Sequence, residues 1–264
     1  VRNAAHAKAS CERSMKALHW SDLREMRECP AAYKYRLEHG AKVTDAMNRS
    51  TLVHAALFGP GPYQGPLVWD GNKVKERKRW AAFKEDNEGR EIVTIADVEK
   101  ATAIAAAVLA DPVAAPLVTS GTMEETIRWK VGDRECEGTP DNIIDGIQVD
   151  LKVCSATNPE HFPWHCKKFG WHGQQAFYAD SGVWELAGAK IISVPPAPPF
   201  CPVVYSLTPE TLRAGTLLWR SLFERLVVCE QSDSWPGYAQ QQVPLELPDA
   251  PLELVMDGGE VVTM

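Results

Sequence analysis

The stretch "GTPDNIIDGIQVDLKVCSAT", residues 138–157, holds two aspartates and a lysine whose spacing could do chemistry. Asp141 follows a proline, and Asp150 stands two residues before Lys152 in the apolar run "IQVDLKV". Side chains alternate along a strand, so Val149, Leu151 and Val153 share a face that points into a core, while Asp150 and Lys152 share the other. A hairpin through Asp145-Gly146 brings Asp141, in the preceding strand or at its end, beside Asp150. Two carboxylates that close repel unless a cation lies between them, and hard oxygen donors favour Mg²⁺ or Mn²⁺. Lys152 is then placed to hold a water or to stabilise charge developing on a phosphate. Such a set suits metal-assisted attack of water on a phosphodiester. The bland reading is a salt-bridged hairpin with its acids and lysine on a solvent face.

Composition narrows the partners. The 264 residues carry a formal net charge of −7, so a polyanion must be met by a local basic patch. The run "KVKERKRW", residues 73–80, supplies Lys73, Lys75, Arg77, Lys78 and Arg79 against one acid and is the best place for a DNA backbone to dock. Lys167 and Lys168, near Trp164 and Trp171, form a smaller patch. Both runs also read as solvated faces, and the tryptophans as core residues or as stacking platforms for unpaired bases. The seven cysteines show no CxxC spacing and read as reduced intracellular thiols. His161, His165 and His172 surround Cys166, but no second cluster completes a four-ligand cage, so no zinc site is expected. Neither a signal peptide nor a membrane span is expected, and the location read from this is cytoplasmic.

The elements that must position these groups follow from periodicity and breakers. Residues 14–39 read as a short helix, a break at Pro30 and a second helix; residues 44–58 read as another helix. A Gly/Pro cluster at 59–66 breaks the chain. Thr94 opens a capped helix, "TIAD", with Val98, Ala101, Ala105 and Val108 on its apolar seam and an end near Asp111-Pro112. "ETIRWKV", "GTPDNII" and "IQVDLKV" read as a run of antiparallel strands. Helix returns over 160–180, with Gly170 and Gly173 as weak points. "KIISV" and "PVVYSL" are two further strands around the loop "PPAPPF". A last helix starts at Thr208-Pro209, with Leu212, Gly215, Trp219, Leu222 and Leu226 on its buried seam. The tail beyond Trp235 has no helical pattern. The fold class is α/β in a single domain over 1–264: a core of about residues 44–231, an N-terminal helical segment 14–39 and an irregular tail 232–264.

The order P-D, then D-x-K, resembles the PD-(D/E)xK nuclease superfamily, and further segments agree with its RecB-like branch, closest to exonuclease VIII (RecE-type) phage exonucleases. "STLVHAALF" resembles the G-T-x-x-H segment with His54 in the ligand position, although Ser50 stands for the usual glycine. "ETIRW" resembles the strand upstream of PD whose acid serves the metal, with spacing to Trp129 favouring Glu124 over Glu125. "QQAFY" fits Q-x-x-x-Y as Gln174 and Tyr178, one helix face apart by a turn. The opening "SMKALHWSDLREMRECPAAYKY" and the late "PPF" and "WPGY" stand where similar short segments occur, so the resemblance runs over roughly residues 14–240.

That resemblance implies a restriction-endonuclease-like core: a central mixed β-sheet flanked by helices, with the active site at one sheet edge. It implies Mg²⁺ held by Asp141, Asp150 and the backbone carbonyl of Leu151, with Glu124 and His54 completing or bordering the shell. Histidine makes Mn²⁺ an alternative ion. Lys152 would orient the water or stabilise the phosphorane, and Gln174 and Tyr178 would hold the strand near the scissile bond. Branches with an iron–sulfur cluster need clustered C-terminal cysteines; Cys201 and Cys229 are too few and too far apart, so no cluster is expected. The implied function is a hydrolase of recombination: a DNA exonuclease acting on double-stranded DNA ends, 5′→3′, as a possible ring-shaped homo-oligomer, and handing a strand to an annealing protein in a bacterial or phage-infected cell. The alternatives are an endonuclease or single-strand or flap nuclease of the same fold, and a non-catalytic DNA-binding or assembly module.

Overall fold

The computed structural model describes residues 17–40, 45–59, 67–88, 90–239 and 241–245, with two short paired strands at Glu253–Val255 and Val261–Thr263. Residues 14–16, residue 44 and the Gly/Pro cluster after Gly59 lie outside the described residues.

A short helix α1 (Trp20–Leu23) tightens into a 3-10 turn (Arg24–Arg27) and is followed by α2 (Pro30–His39). Pro30 sits in the first turn of α2, where its missing N–H is no loss. Next come α3 (Asp45–Phe58), β1 (Leu67–Trp69), α4 (Arg77–Asp86) and β2 (Ile92–Thr94), with β1 and β2 paired in parallel. Helix α5 (Ile95–Ala110) opens on a capping box in which Thr94 and Asp97 each accept the other's backbone N–H, and it stops before Asp111-Pro112.

The strand region departs from expectation. After β3 (Thr122–Met123), strands β4 (Ile127–Val131) and β5 (Arg134–Gly138) form an antiparallel hairpin of their own. Only then come β6 (Asn142–Ile144) and β7 (Ile147–Val153). "ETIRWKV" therefore pairs mainly with "RECEG", a strand that its charge conceals, and meets "GTPDNII" only at Gly138 and Thr139. Between β6 and β7, Asp145 and Gly146 take φ of 49° and 72°, a two-residue turn whose twist matches the strands it joins.

Helices α6 (Phe162–Phe169) and α7 (Trp171–Ala179) are separated at Gly170, which takes φ of 72°. Gly173 does not break α7; a side chain there would run into Trp20. Strands β8 (Gly188–Val194) and β9 (Val203–Ser206) precede the long α8 (Pro209–Ser232), whose Thr208 side chain accepts the Thr211 N–H. The buried seam of α8 is Gly215, Trp219, Leu222, Leu226 and Cys229.

The central sheet has five strands in the order β3-β6-β7-β8-β9. It is mixed: β7 runs antiparallel to β6 and parallel to β8. The strand carrying Asp150 and Lys152 is thus the middle strand of the five. One face, with Val149, Leu151, Ile192 and Val194, packs on Val53 and Leu57 of α3 and on Ala101, Ile104 and Val108 of α5. The other face puts Ile191 against Phe162 and Cys166 of α6 and against Trp171. Beyond it Phe177, Trp219 and Leu222 join Trp20, Leu23 and the hairpin residues Ile127 and Trp129 in a further core. Each fully buried large side chain contributes roughly 1.5–3 kcal/mol to these cores. Among the described residues no helix is long and apolar enough to cross a membrane.

Candidate active site

The site forms where β6 stops and β7 continues. Asn142, the first residue of β6, pairs with Val149, so one more step of the register sets Asp141 across from Asp150 on the same face. Leu151 then has no strand on that side, and two side chains take the place of one. Its N–H donates to Asp141 Oδ2 at 2.6 Å, and its carbonyl oxygen meets His54 Nε2 at 3.2 Å. Buried backbone groups must find such partners.

His54 reaches this point from α3. Its Nδ1 lies 3.3 Å from Asp141 Oδ1 and 3.9 Å from Glu124 Oε1. The three potential ligand atoms of His54, Glu124 and Asp141 all fall within 4.8 Å of one another, the one such convergence of three His, Cys, Asp or Glu side chains among the described residues.

Glu124 lies just before the "ETIRW" stretch and outside β4. It follows β3, takes a left-handed φ of 51°, and donates its N–H to the Asp141 carbonyl at 3.2 Å. For a residue with a β-carbon that conformation costs about 1–3 kcal/mol, and here it turns the carboxylate toward His54. Glu125 is left exposed.

Asp150 and Lys152 project from the middle strand into the same cleft. Lys152 Nζ lies 2.7 Å from Asp150 Oδ1 and 2.6 Å from Oδ2. Asp150 is 3% exposed, which excludes the solvent-facing hairpin. The Oδ2 contact lacks hydrogen-bond geometry, so that buried oxygen keeps unused lone pairs. On its other side the Lys152 ammonium sits 6.0 Å from the centre of the Trp171 ring.

The charges are mutually dependent. Burial opposes a charged His54, yet Asp141 and Glu124 outweigh it and push its pKa up to about 10. Burial also opposes ionised Asp141, but His54, Lys152 and the Leu151 N–H hold its carboxyl below the ordinary range. Asp150 goes the other way, up to about 6, because burial and the neighbouring Asp141 charge exceed the pull of Lys152. Without an ion, the imidazolium supplies the positive charge that the acids require.

A divalent cation fits this donor set. Two carboxylates and one imidazole nitrogen are ligands suited to Mn²⁺ and, apart from the imidazole, to Mg²⁺, while the Leu151 carbonyl faces the opposite ring nitrogen of His54. Asp150, ion-paired with Lys152 through both oxygens, is close enough to feel the charge of Asp141.

Helix α7 closes the cleft. Gln174 Nε2 reaches Tyr178 OH at 3.5 Å, and burial raises the Tyr178 pKa, with Asp150 and Asp141 adding to the rise and Gln174 opposing it. Four further residues carry no motif of their own. Gly138 lies so close to the Tyr178 ring that a β-carbon would overlap it, which ties the start of the "GTPD" segment to α7. Asn142, fully buried, donates Nδ2 to the Leu117 carbonyl at 2.9 Å and the Ser120 carbonyl at 2.7 Å, fixing the loop that enters β3 and Glu124. Gln148 and Gln175, both fully buried, bond across from β7 to α7. A buried amide among apolar neighbours was the only available signal, and it shows only once burial is known.

The basic residues divide. Arg79 is taken by Asp70 and Glu76, each at 2.7 Å, and lies over Trp69, so it is not a free cation as expected. Lys73 sits 4.8 Å from the Trp80 ring centre. Lys75, Arg77 and Lys78 are exposed, as are Lys167 and Lys168 at the end of α6.

A family model described as "PDDEXK-like domain of unknown function (DUF3799)" matches residues 20–243. The chain belongs to the PDDEXK-like family. Pro140-Asp141, Asp150 and Lys152 are the residues that spell the family's name, and a PDDEXK-like domain supports a nuclease. Among solved structures, this PDDEXK-like chain is similar to a protein of Eubacterium rectale that carries the provisional name of exonuclease, with 15% identity, a TM-score of 0.61, and 89% of this chain and 92% of that one covered. That likeness shows the fold. A phage-related exonuclease of Haemophilus somnus 129PT aligns over 81% of this chain and 96% of its own, at 15% identity and a TM-score of 0.34. No curated protein matches the chain.

Proposed function

We propose that this PDDEXK-like protein is a divalent-metal-dependent exonuclease that hydrolyses phosphodiester bonds at the ends of linear duplex DNA, 5′→3′, in recombination by strand annealing. The observation that carries the reading is the convergence of His54, Glu124 and Asp141 beside the buried Asp150–Lys152 pair. His54, Glu124 and Asp141, with Asp150 and the Leu151 carbonyl at their border, would hold Mg²⁺ or Mn²⁺. Such an ion, when bound, lowers the pKa of water and neutralises phosphate charge.

The chain's own groups do the rest. Lys152, held by Asp150 on one side and the Trp171 ring on the other, keeps its ammonium fixed in the cleft, where it orients the attacking water or stabilises the charge gathering on phosphorus. Gln174 and Tyr178 present an amide and a phenol from one helix face, placed to hold a phosphate next to the scissile bond. Lys75, Arg77 and Lys78 supply cations for the duplex backbone. Assembly as a ring and delivery of the remaining strand to an annealing protein belong to the same reading.

Digestion of linear duplex labelled at the 5′ or the 3′ end, with Mg²⁺ or Mn²⁺, tests it. The 5′ label should leave first as mononucleotide, and closed circles should survive. Early loss of the 3′ label would reverse the polarity, and circles cut as fast as linear duplex would make the protein an endonuclease.

A further inference from the structure

Helix α6 turns basic and aromatic side chains to solvent beside the candidate active site. Trp164 is 70% exposed and Phe169 39% exposed. At about 100° per residue, Trp164, Lys167 and Lys168 share the outer face of α6. Its inner face, Phe162 and Cys166, is buried against Trp171 and Ile191. Lys168 joins the two faces, with its Nζ 5.7 Å from the centre of the Phe169 ring. Phe169 stacks on Trp171 with centroids 5.3 Å apart, and Trp171 in turn lies under the Lys152 ammonium at 6.0 Å. A line of rings and cations thus runs from Lys152 through Trp171 and Phe169 to Lys168, with Trp164 one turn back on the same outer face.

Beyond the Asp150–Lys152 pair, the charge of α6 itself has one sign, with Glu160 just before it. Residues 161–172 contain two lysines, three histidines and no carboxylate. The backbone beneath is fixed, because Arg27 donates to the Lys167 carbonyl at 3.0 Å and to the Lys168 carbonyl at 2.9 Å. Positive charge selects a polyanion, and ring faces select flat groups open to stacking. Intact duplex keeps its bases stacked inside and offers only phosphates; a single strand offers both. We propose that α6 is a track for single-stranded DNA at the active site, with bases stacking on Phe169 and Trp164 and phosphates meeting Lys167 and Lys168. The track's role at the site rests on the nuclease reading, but its binding does not.

Equilibrium binding in EDTA, where nothing is cleaved, tests it with fluorescein-labelled (dT)20 and a blunt 20-base-pair duplex. Trp164→Ala and Phe169→Ala should each weaken (dT)20 binding about five-fold or more while leaving duplex binding within about two-fold, and Trp164→Phe should restore most of the loss. Trp164→Ala is the arm least exposed to folding defects, since its side chain is mostly in solvent. Single-strand affinity unchanged in Trp164→Ala, equal losses for single strand and duplex, or a changed oligomeric mass that assigns the face to a second copy would each overturn the track. If the wild type cuts no DNA with Mg²⁺ or Mn²⁺ while the (dT)20 pattern holds, the nuclease reading falls and the track stands.

Discussion

Asp141 and Leu151 are joined by a hydrogen bond of 2.6 Å from the Leu151 N–H to one carboxylate oxygen, which leaves the other oxygen facing His54. The carboxylate thereby does the work of a missing strand while keeping one oxygen turned to His54. Where β6 ends, the backbone of the middle strand would otherwise lack partners, and the side chains that satisfy it are those that converge on the cleft.

His54 makes metal binding depend on pH. Its pKa, raised to about 10 by Asp141 and Glu124 against the opposing effect of burial, keeps it protonated at neutral pH with both ring nitrogens carrying hydrogen. A bound cation must displace that proton, so Mn²⁺ affinity should rise between pH 7 and 9 by up to about ten-fold per unit. Calorimetric titrations in buffers of different ionisation enthalpy should show proton release in the wild type and a flatter pH profile in His54→Ala. A flat wild-type profile would remove His54 from the shell.

Gly138 is predicted to be intolerant of a methyl. Alanine there overlaps the Tyr178 ring, and forced repacking costs about 1–3 kcal/mol. Thermal unfolding of Gly138→Ala should fall by several degrees, and the loss should shrink when Tyr178→Ala is added. Additive effects would mean that the two residues do not meet.

Asn142→Ala should reach the site through the backbone. It leaves the Leu117 and Ser120 carbonyls without their donor, at about 1–3 kcal/mol, and frees the loop that sets Glu124. Both the melting temperature and Mn²⁺ affinity should drop. Asn142→Asp, which cannot donate to either carbonyl, should rescue neither; recovery of both by aspartate would contradict this role.

The basic run should act through three of its five cations. Neutralising Lys75, Arg77 and Lys78 together should weaken duplex binding and reduce its salt slope by up to about 3. Arg79→Ala, whose guanidinium is held by Asp70 and Glu76, should change the slope least. An unchanged slope in the triple variant would make the run a solvated face.

The fold was legible where local chemistry decides it. Thr94 with Asp97 and Thr208 with Pro209 start their helices because a side chain can satisfy an orphan N–H within three residues. Alternation in "IQVDLKV" separated Val149 and Leu151 from Asp150 and Lys152. Strand β5 was hidden because "RECEG" carries three charges and buries only Cys136 and Gly138. The sheet order was hidden because β7 pairs with β8 across the intervening helices, a contact that no local pattern encodes. Glu124 could be chosen over Glu125 by spacing, but its left-handed turn could not be foreseen in a residue with a β-carbon. Gln148 and Gln175 carry no local sign of burial; the packing of α7 on β7 buries both.

Cleavage of linear DNA by the wild type and by Asp150→Ala, each with Mn²⁺ and with EDTA, tests the metal-dependent centre most directly. The wild type should degrade the DNA only with the ion, and Asp150→Ala should be slower by roughly 10³-fold, the rate equivalent of several kcal/mol, while binding duplex within a few-fold. Cleavage that persists in EDTA, equal rates for the two proteins, or no cleavage by the wild type with either Mn²⁺ or Mg²⁺ would contradict the account.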